Sequence, residues 1–300
     1  MKMSYFIQFA TLVILGVTVL VQAQTMRIYP KTSSWTDNVV SSLDSMSFVD
    51  SVNDSMRIYA KKGPILNFAL SHIDSVKFVN SDNFTGTYGA LADSRDGRVY
   101  KTVVIGSQTW MAENLNYGTF IKSSSLSWVL PSGAHKLCTY DIESNCNTNG
   151  GLYLWHTAMG FDSSCATANC SNQIRNGHHQ GICPLGWHVP KAAEWDTLGS
   201  ALGGLAIAGS KMKLNNTGDS SWDESTNNIG NPSGFSALPI GVYNGYSGVD
   251  GRGYTTGFWE ATELYSIYAC SRNLLNEYLS LYRNTSYTKT YGFSLRCVKD

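Results

Sequence analysis

The sequence predicts an α+β fold with two helices, small antiparallel sheets and long ordered loops, preceded by a small β-rich repeat region. Three observations carry that expectation. Residues 181–198 run from glycine and proline turn chemistry into Trp195, Leu198 and Leu202 at i, i+3 and i+7, the spacing of one helical face. Residues 99–104 alternate in the period of two that marks a half-buried strand. From about residue 203 onward Gly, Asn, Ser and Asp dominate, with isolated apolar anchors, which is the composition of long loops.

The first 23 residues read as a signal peptide: Lys2 is a short basic region, residues 6–21 an apolar run, and Val21, Gln22 and Ala23 a small-residue cleavage site. An apolar run of about 16 residues, interrupted by Gln8 and Thr11, is short for a bilayer span. No cysteine follows the expected cut, as a lipoprotein anchor requires. The expectation is export, to the cell surface, periplasm or exterior, without a transmembrane anchor.

Residues 24–82 repeat themselves at an offset of 30. Met26-Arg-Ile-Tyr29 recurs as Met56-Arg-Ile-Tyr59, and Leu43-Asp-Ser-Met-Ser-Phe-Val49 as Ile73-Asp-Ser-Val-Lys-Phe-Val79. Each copy, about 26–50 and 56–80, starts and ends with a short strand. A unit of that size cannot bury a core alone, so the copies are expected to pair with one another or lean on the main domain.

The main domain, residues 86–300, opens on a hairpin whose turn is Gly106 and Ser107. Leu152, Trp155 and Met159 lie at i, i+3 and i+7, which predicts a first helix ended by Gly160. Residues 181–198 supply the second. Phe293, Leu295 and Cys297 alternate in a closing core strand.

Lys plus Arg equals Asp plus Glu at 22 each, and only 15% of residues are charged, so no field steers the chain toward nucleic acid. In an exported chain, disulfides are the expected fate of the seven cysteines. Cys138 with Cys146 and Cys165 with Cys170 are close enough for local staples. Cys183 with Cys297 ties the central loop to the last strand, leaving Cys270 a buried thiol. Zinc is the competing reading, but there is no Cys-x2-Cys pair.

Eight ordered motifs span the domain: Asp96-Gly-x-x-Tyr100, Ile105-Gly-x-Gln-x-Trp-Met-Ala-Glu-Asn-Leu115, Gly151-x-Tyr-x-Trp155, Gly181-Ile-Cys-Pro-x-Gly-Trp-His-Val-Pro190, Glu194-Trp195, Gly234-Phe-Ser-Ala-Leu-Pro239, Phe258-Trp-x-Ala-Thr262 and Gly292-Phe-Ser-x-Arg-Cys-Val298. Together they resemble the Fibrobacter succinogenes major paralogous domain. The resemblance implies export from a Gram-negative bacterium and kinship with the C-type-lectin-like fold of formylglycine-generating enzymes, and no settled activity. Calcium-dependent lectins carry Glu-Pro-Asn or Gln-Pro-Asp plus Trp-Asn-Asp, whereas Asn231-Pro-Ser233 and Trp222-Asp-Glu224 are loose echoes. The paired-cysteine copper site of formylglycine-generating enzymes has no aligned counterpart in Cys270 and Cys297.

Aromatic faces can stack on sugar rings. Trp110, Trp155, Trp187 and Trp195 sit in motifs or on apolar faces and read as core. Trp222, Tyr243, Tyr246, Tyr254 and Trp259 lie among polar loop residues and are the ligand candidates. Asp219, Asp223, Asn227 and Asn228 belong to an oxygen-rich run that could hold Ca²⁺ or simply make turns. His178 and His179 read as solvated, and His188 as bonded to backbone within its turn. Glu113, Glu194, Glu260 and Glu263 are the acidic residues available for hydrolysis, but spacing brings no two together. The expected function is an exported, non-catalytic binding or surface-interaction protein that contacts a glycan or cell-envelope component through residues 215–262. The alternatives are a formylglycine-generating-enzyme-like oxidoreductase and a structural envelope protein.

Overall fold

The structure is a computed structural model. It describes strand backbones at 25–30, 43–49, 55–60, 66–69 and 73–79, and then residues 84–126, 133–175, 177–214, 222, 230–246 and 248–300. The expected signal peptide lies outside these residues. Contacts divide the chain into two units, Met1–Ser81 and Asp82–Asp300.

In the first unit the strands are β1 (Thr25–Pro30), β2 (Leu43–Val49), β3 (Ser55–Ala60), β4 (Leu66–Ala69) and β5 (Ile73–Val79). The repeats pair reciprocally. The first strand of copy one, β1, pairs antiparallel with the last strand of copy two, β5, while β2 pairs with β3. Met26 opposes Phe78, just as Met56 opposes Phe48, so the 30-residue offset maps one ladder onto the other. Even the irregularity repeats: each register skips one residue, Asp44 in one ladder and Asp74 in the other. Within copy two, β3 pairs in addition with β4, giving a three-stranded sheet β2-β3-β4.

In chain order the second unit contains β6 (Gly89–Ala92), β7 (Val99–Ile105), β8 (Gln108–Met111), β9 (Thr119–Phe120), β10 (His135–Lys136), helix α1 (Cys146–Asn149), β11 (Leu152–Leu154) and α2 (Trp155–Ala158). There follow β12 (Trp187–His188), α3 (Ala192–Ala201), α4 (Leu205–Met212), β13 (Val242–Tyr243), β14 (Val249–Asp250), β15 (Thr255–Tyr265), β16 (Tyr268–Leu275), β17 (Tyr282–Thr288), β18 (Gly292–Ser294) and β19 (Val298–Lys299). One sheet has the order β12-β19-β8-β7-β6. The other runs β14-β13-β18-β15-β16-β17, with β11 also on β18. The α+β class and the opening hairpin β7–β8 are as expected.

Two sequence expectations need correction. Residues 152–159 do not form one helix: 152–154 are a strand against β18, and only one helical turn follows. A short apolar run satisfies both periods, and here a ladder partner decides it. The region after 203 is not mainly loop, for it holds α4 and the β15–β17 meander, whose first strand is 11 residues long. Several polar residues of the meander are buried, Thr256, Ser271 and Asn273 among them.

Trp110, Trp195, Phe235 and Phe258 form one aromatic core, with Trp110 and Trp195 ring centroids 4.6 Å apart. Tyr153, Trp155, Trp259 and Phe293 centre the other. The long connections are ordered by buried cations. Loop carbonyls removed from water need donors, and lysine or arginine brings three to five on one side chain. Lys213, fully buried, donates to the carbonyls of Leu275, Asn276 and Tyr278. Lys289 donates to those of Cys165, Ala168 and Ser266 and pairs with Glu263. Arg296 bonds the side chain of Asn114 and the carbonyls of Met111 and Ser236, fastening the closing strand to two loops.

The disulfides are Cys138–Cys146, Cys165–Cys170 and Cys183–Cys297, with Cys270 a buried thiol. All three pairings match the expectation.

Buried His156 supplies a pH test. Burial pushes its imidazole down to about 4, so the native state holds it neutral while the unfolded chain protonates it below its ordinary value near 6.5. The unfolded state then binds the extra proton, and stability is expected to fall by about 3 kcal/mol as pH drops from 6.5 to 4. Urea denaturation at pH 7 and pH 4.5 checks this: the decline should flatten in His156→Gln, and an equal decline in that variant contradicts the assignment.

Candidate functional site

A polar cleft of about 480 Å³ is bounded by Asp96, Arg98 and residues 116–119 and 133–136. Its position follows from the chain locally. The Asp96–Gly97 turn places Asp96 and Arg98 on one wall as a 3.5 Å ion pair. The parallel bridge of β9 to β10 puts Thr119 opposite His135 and Phe120 opposite Lys136. Gly118 is required there: φ is +104°, and a Cβ would lie 2.5 Å from the Ala134 carbonyl oxygen. The Cys138–Cys146 disulfide anchors the segment two residues beyond Lys136.

Within the cleft Lys136 is buried, and its Nζ donates to the carbonyl (3.1 Å) and side-chain oxygen (2.7 Å) of Asn116. Burial pushes its ammonium below the ordinary lysine range, and Arg98 adds to the shift. Asn116, 3% exposed, keeps its amide Nδ2 without a hydrogen-bond partner. Its own N–H donates to the Tyr100 hydroxyl, whose pKa burial pushes up to about 12. Arg95 is clamped by Asp93 and the Ile182 carbonyl and lies 3.7 Å over the Tyr117 ring at the cleft edge. A second recess of about 190 Å³ shares Arg98 and Asn116 and adds Glu113, Asn114 and Asn147. The two form a polar surface with fixed donors and acceptors, which can hold a molecule rich in hydroxyls.

The predicted ligand residues are not gathered there. Trp222 (4%), Tyr243 (4%) and Trp259 (0%) are core side chains, a correction to their reading as exposed platforms. The indole N–H of Trp222 donates to the Ala237 carbonyl and that of Trp259 to the Tyr153 carbonyl. Tyr246 is 88% exposed and Tyr254 half-buried. Asp219, Asp223, Asn227 and Asn228, the Ca²⁺ candidates, lie outside the described residues. The core reading of Trp110, Trp155, Trp187 and Trp195 holds.

The acidic candidates have structural partners. Glu113 accepts the Lys101 N–H, Glu194 the Lys191 N–H, Glu260 meets Arg272 and Arg283, and Glu263 accepts the Cys170 N–H beside Lys289. Cys297 is bonded to Cys183, so Cys270 and Cys297 do not fit a copper-binding thiol pair. His188 is also corrected: it bonds no backbone, but spans Glu194 through Nε2 and Asp300 through Nδ1, each at 2.7 Å. His179 is buried rather than solvated, against the Met159 carbonyl.

The cleft leaves little trace in the sequence, because its walls come from three separate segments and its central cation is a buried lysine, a placement that composition argues against. The Asp96–Gly97 turn was the one legible sign.

The family model described as the Fibrobacter succinogenes major domain matches residues 103–299. The chain therefore belongs to the Fibrobacter succinogenes major domain family. No curated protein matches it, and no solved structure does. Among the described residues no helix is long and apolar enough to cross a membrane.

Proposed function

We propose that the chain is an exported, non-catalytic binding protein on a C-type-lectin-like scaffold, and that the polar cleft holds a glycan of the cell wall or envelope. The observation that carries this reading is the buried Lys136–Asn116 pair, with the free Asn116 amide, beside the Asp96–Arg98 pair. Sugar hydroxyls donate and accept at once, and a cleft that presents cations, a carboxylate and an amide within one recess meets both demands. The structural commitment of Glu113, Glu194, Glu260 and Glu263 supports retention rather than cleavage of the ligand. Three disulfides support an oxidising compartment outside the cytosol.

Screening the tag-free mature chain against plant-cell-wall and bacterial glycans tests this. Arg98→Ala and Lys136→Met are expected to weaken binding at least tenfold, about 1.4 kcal/mol, with an unchanged circular dichroism spectrum. Loss confined to Tyr246→Ala would move the site to the later loops and overturn the cleft, as would the absence of any glycan bound.

A further inference from the structure

We propose a site for a zinc-like divalent ion at the edge of the 181–198 hub, formed by His178, His188 and Asp300. Their ligand atoms all lie within 4.8 Å of one another. Two imidazole nitrogens already converge on one carboxylate oxygen: Oδ1 of Asp300 is 2.7 Å from His188 Nδ1 and 3.4 Å from His178 Nδ1. Two nitrogens and one oxygen suit Zn²⁺ and its neighbours in the first transition row better than Ca²⁺ or Mg²⁺, which prefer oxygen alone.

The second observation is what stands behind His188. Its far nitrogen, Nε2, is 2.7 Å from Glu194 Oε1, and the other oxygen of Glu194 accepts the Lys191 N–H at the start of α3. A carboxylate on the remote nitrogen is the arrangement that fixes the tautomer of a metal-bound histidine and raises its basicity. With Nε2 committed to Glu194, Nδ1 is the nitrogen presented to Asp300. His188 is 1% exposed and held in the β12–β19 ladder, and the Asp300 N–H donates to the Gly186 carbonyl. The Cys183–Cys297 disulfide brings the two strands together. Thus the inner ligand is rigid and Asp300 is placed by the same ladder.

The outer ligand must move. His178 stacks on His188 with ring centroids 4.0 Å apart and planes 3° from parallel, so their in-plane lone pairs run side by side. Ligand atoms around a zinc ion at 2.0–2.1 Å stand about 3.3 Å apart. Reaching that geometry means opening the 2.7 Å hydrogen bond between His188 Nδ1 and Asp300, with the ion replacing its proton, and rotating His178, whose side chain is 50% exposed and follows Gly177, at φ +97° with open space around it. Asp300 is 45% exposed, which leaves a fourth position for water or a partner's side chain.

The test is titration of tag-free, chelator-treated protein with Zn²⁺ against a chromophoric competitor, repeated with Co²⁺ for its visible absorption. One ion per chain is expected, with a tetrahedral Co²⁺ spectrum, and His178→Ala should weaken binding at least tenfold without altering the fold. Asp300→Asn should also weaken it, and Glu194→Gln by a smaller factor. No uptake, or uptake with the same affinity in His178→Ala, overturns the site, since the ion would then be held elsewhere or not at all.

Discussion

Replacing Cys183 and Cys297 together by alanine is expected to cost the second unit about 5 kcal/mol, because in the chain-entropy model the bridge closes a loop of more than a hundred residues. Their sequence separation is 114, against 8 and 5 for the other two disulfides. The same relation gives only about 2 to 2.5 kcal/mol for those staples. The long bridge also lies beside a ladder of only two residue pairs, β12 with β19. Set against a typical stability of roughly 5–15 kcal/mol, its loss removes a third or more of the total. Urea denaturation of this variant beside Cys165→Ala with Cys170→Ala measures the difference. Equal losses in the two variants would contradict the role given to the long bridge.

Removing the Glu260 carboxylate is expected to do comparable damage by another route. Glu260 is fully buried and accepts from Arg272 Nε at 2.6 Å and from Arg283 Nη2 at 3.0 Å. Arg272, itself 1% exposed on that side chain, reaches on to Asp196 and the Ala192 carbonyl, so one cluster joins β15, β16 and β17 to α3. Glu260→Ala leaves a guanidinium buried without its carboxylate, a change that costs about 3–5 kcal/mol. The pair itself need not stabilise the fold relative to apolar groups of the same volume. Accordingly the double variant Glu260→Ala with Arg272→Met is expected to recover part of the loss, and a double-mutant cycle reads the coupling. Additive losses would show that the two side chains act independently.

What could be read from the sequence divides along physical lines. The cysteine pairings were legible because two are local and one joins motifs that close the domain. Helix α3 was legible from Trp195, Leu198 and Leu202, all of them buried. Leu152, Trp155 and Met159 misled because three apolar residues fit a strand end followed by one turn as well as they fit a helix. Trp222 and Trp259 misled for a deeper reason: polar neighbours in the sequence suggested a loop surface, yet both indoles are buried with their N–H groups on backbone carbonyls. Lys213, Lys289, Arg272 and Arg296 are all within 1% of full burial, and hydropathy assigns such residues to solvent. Lys213, Lys289 and Arg296 donate to several carbonyls each and Arg272 to two carboxylates and a carbonyl, a role set by tertiary position and invisible in spacing. Lys136 follows the same rule on a smaller scale, and with it the cleft escaped notice.

The reciprocal pairing of the two N-terminal copies shows the opposite case. A repeat seen as identical words in the sequence becomes two identical ladders, down to the skipped Asp44 and Asp74.

The recess between Asp96 and Lys136 is the proposed place of ligand binding. A crystal structure of the mature chain with a glycan found by the screen tests it most directly. The expected result is sugar density against Arg98, Asn116 and Lys136. Density at Tyr246 or on any other face, with the cleft holding only water, would contradict it.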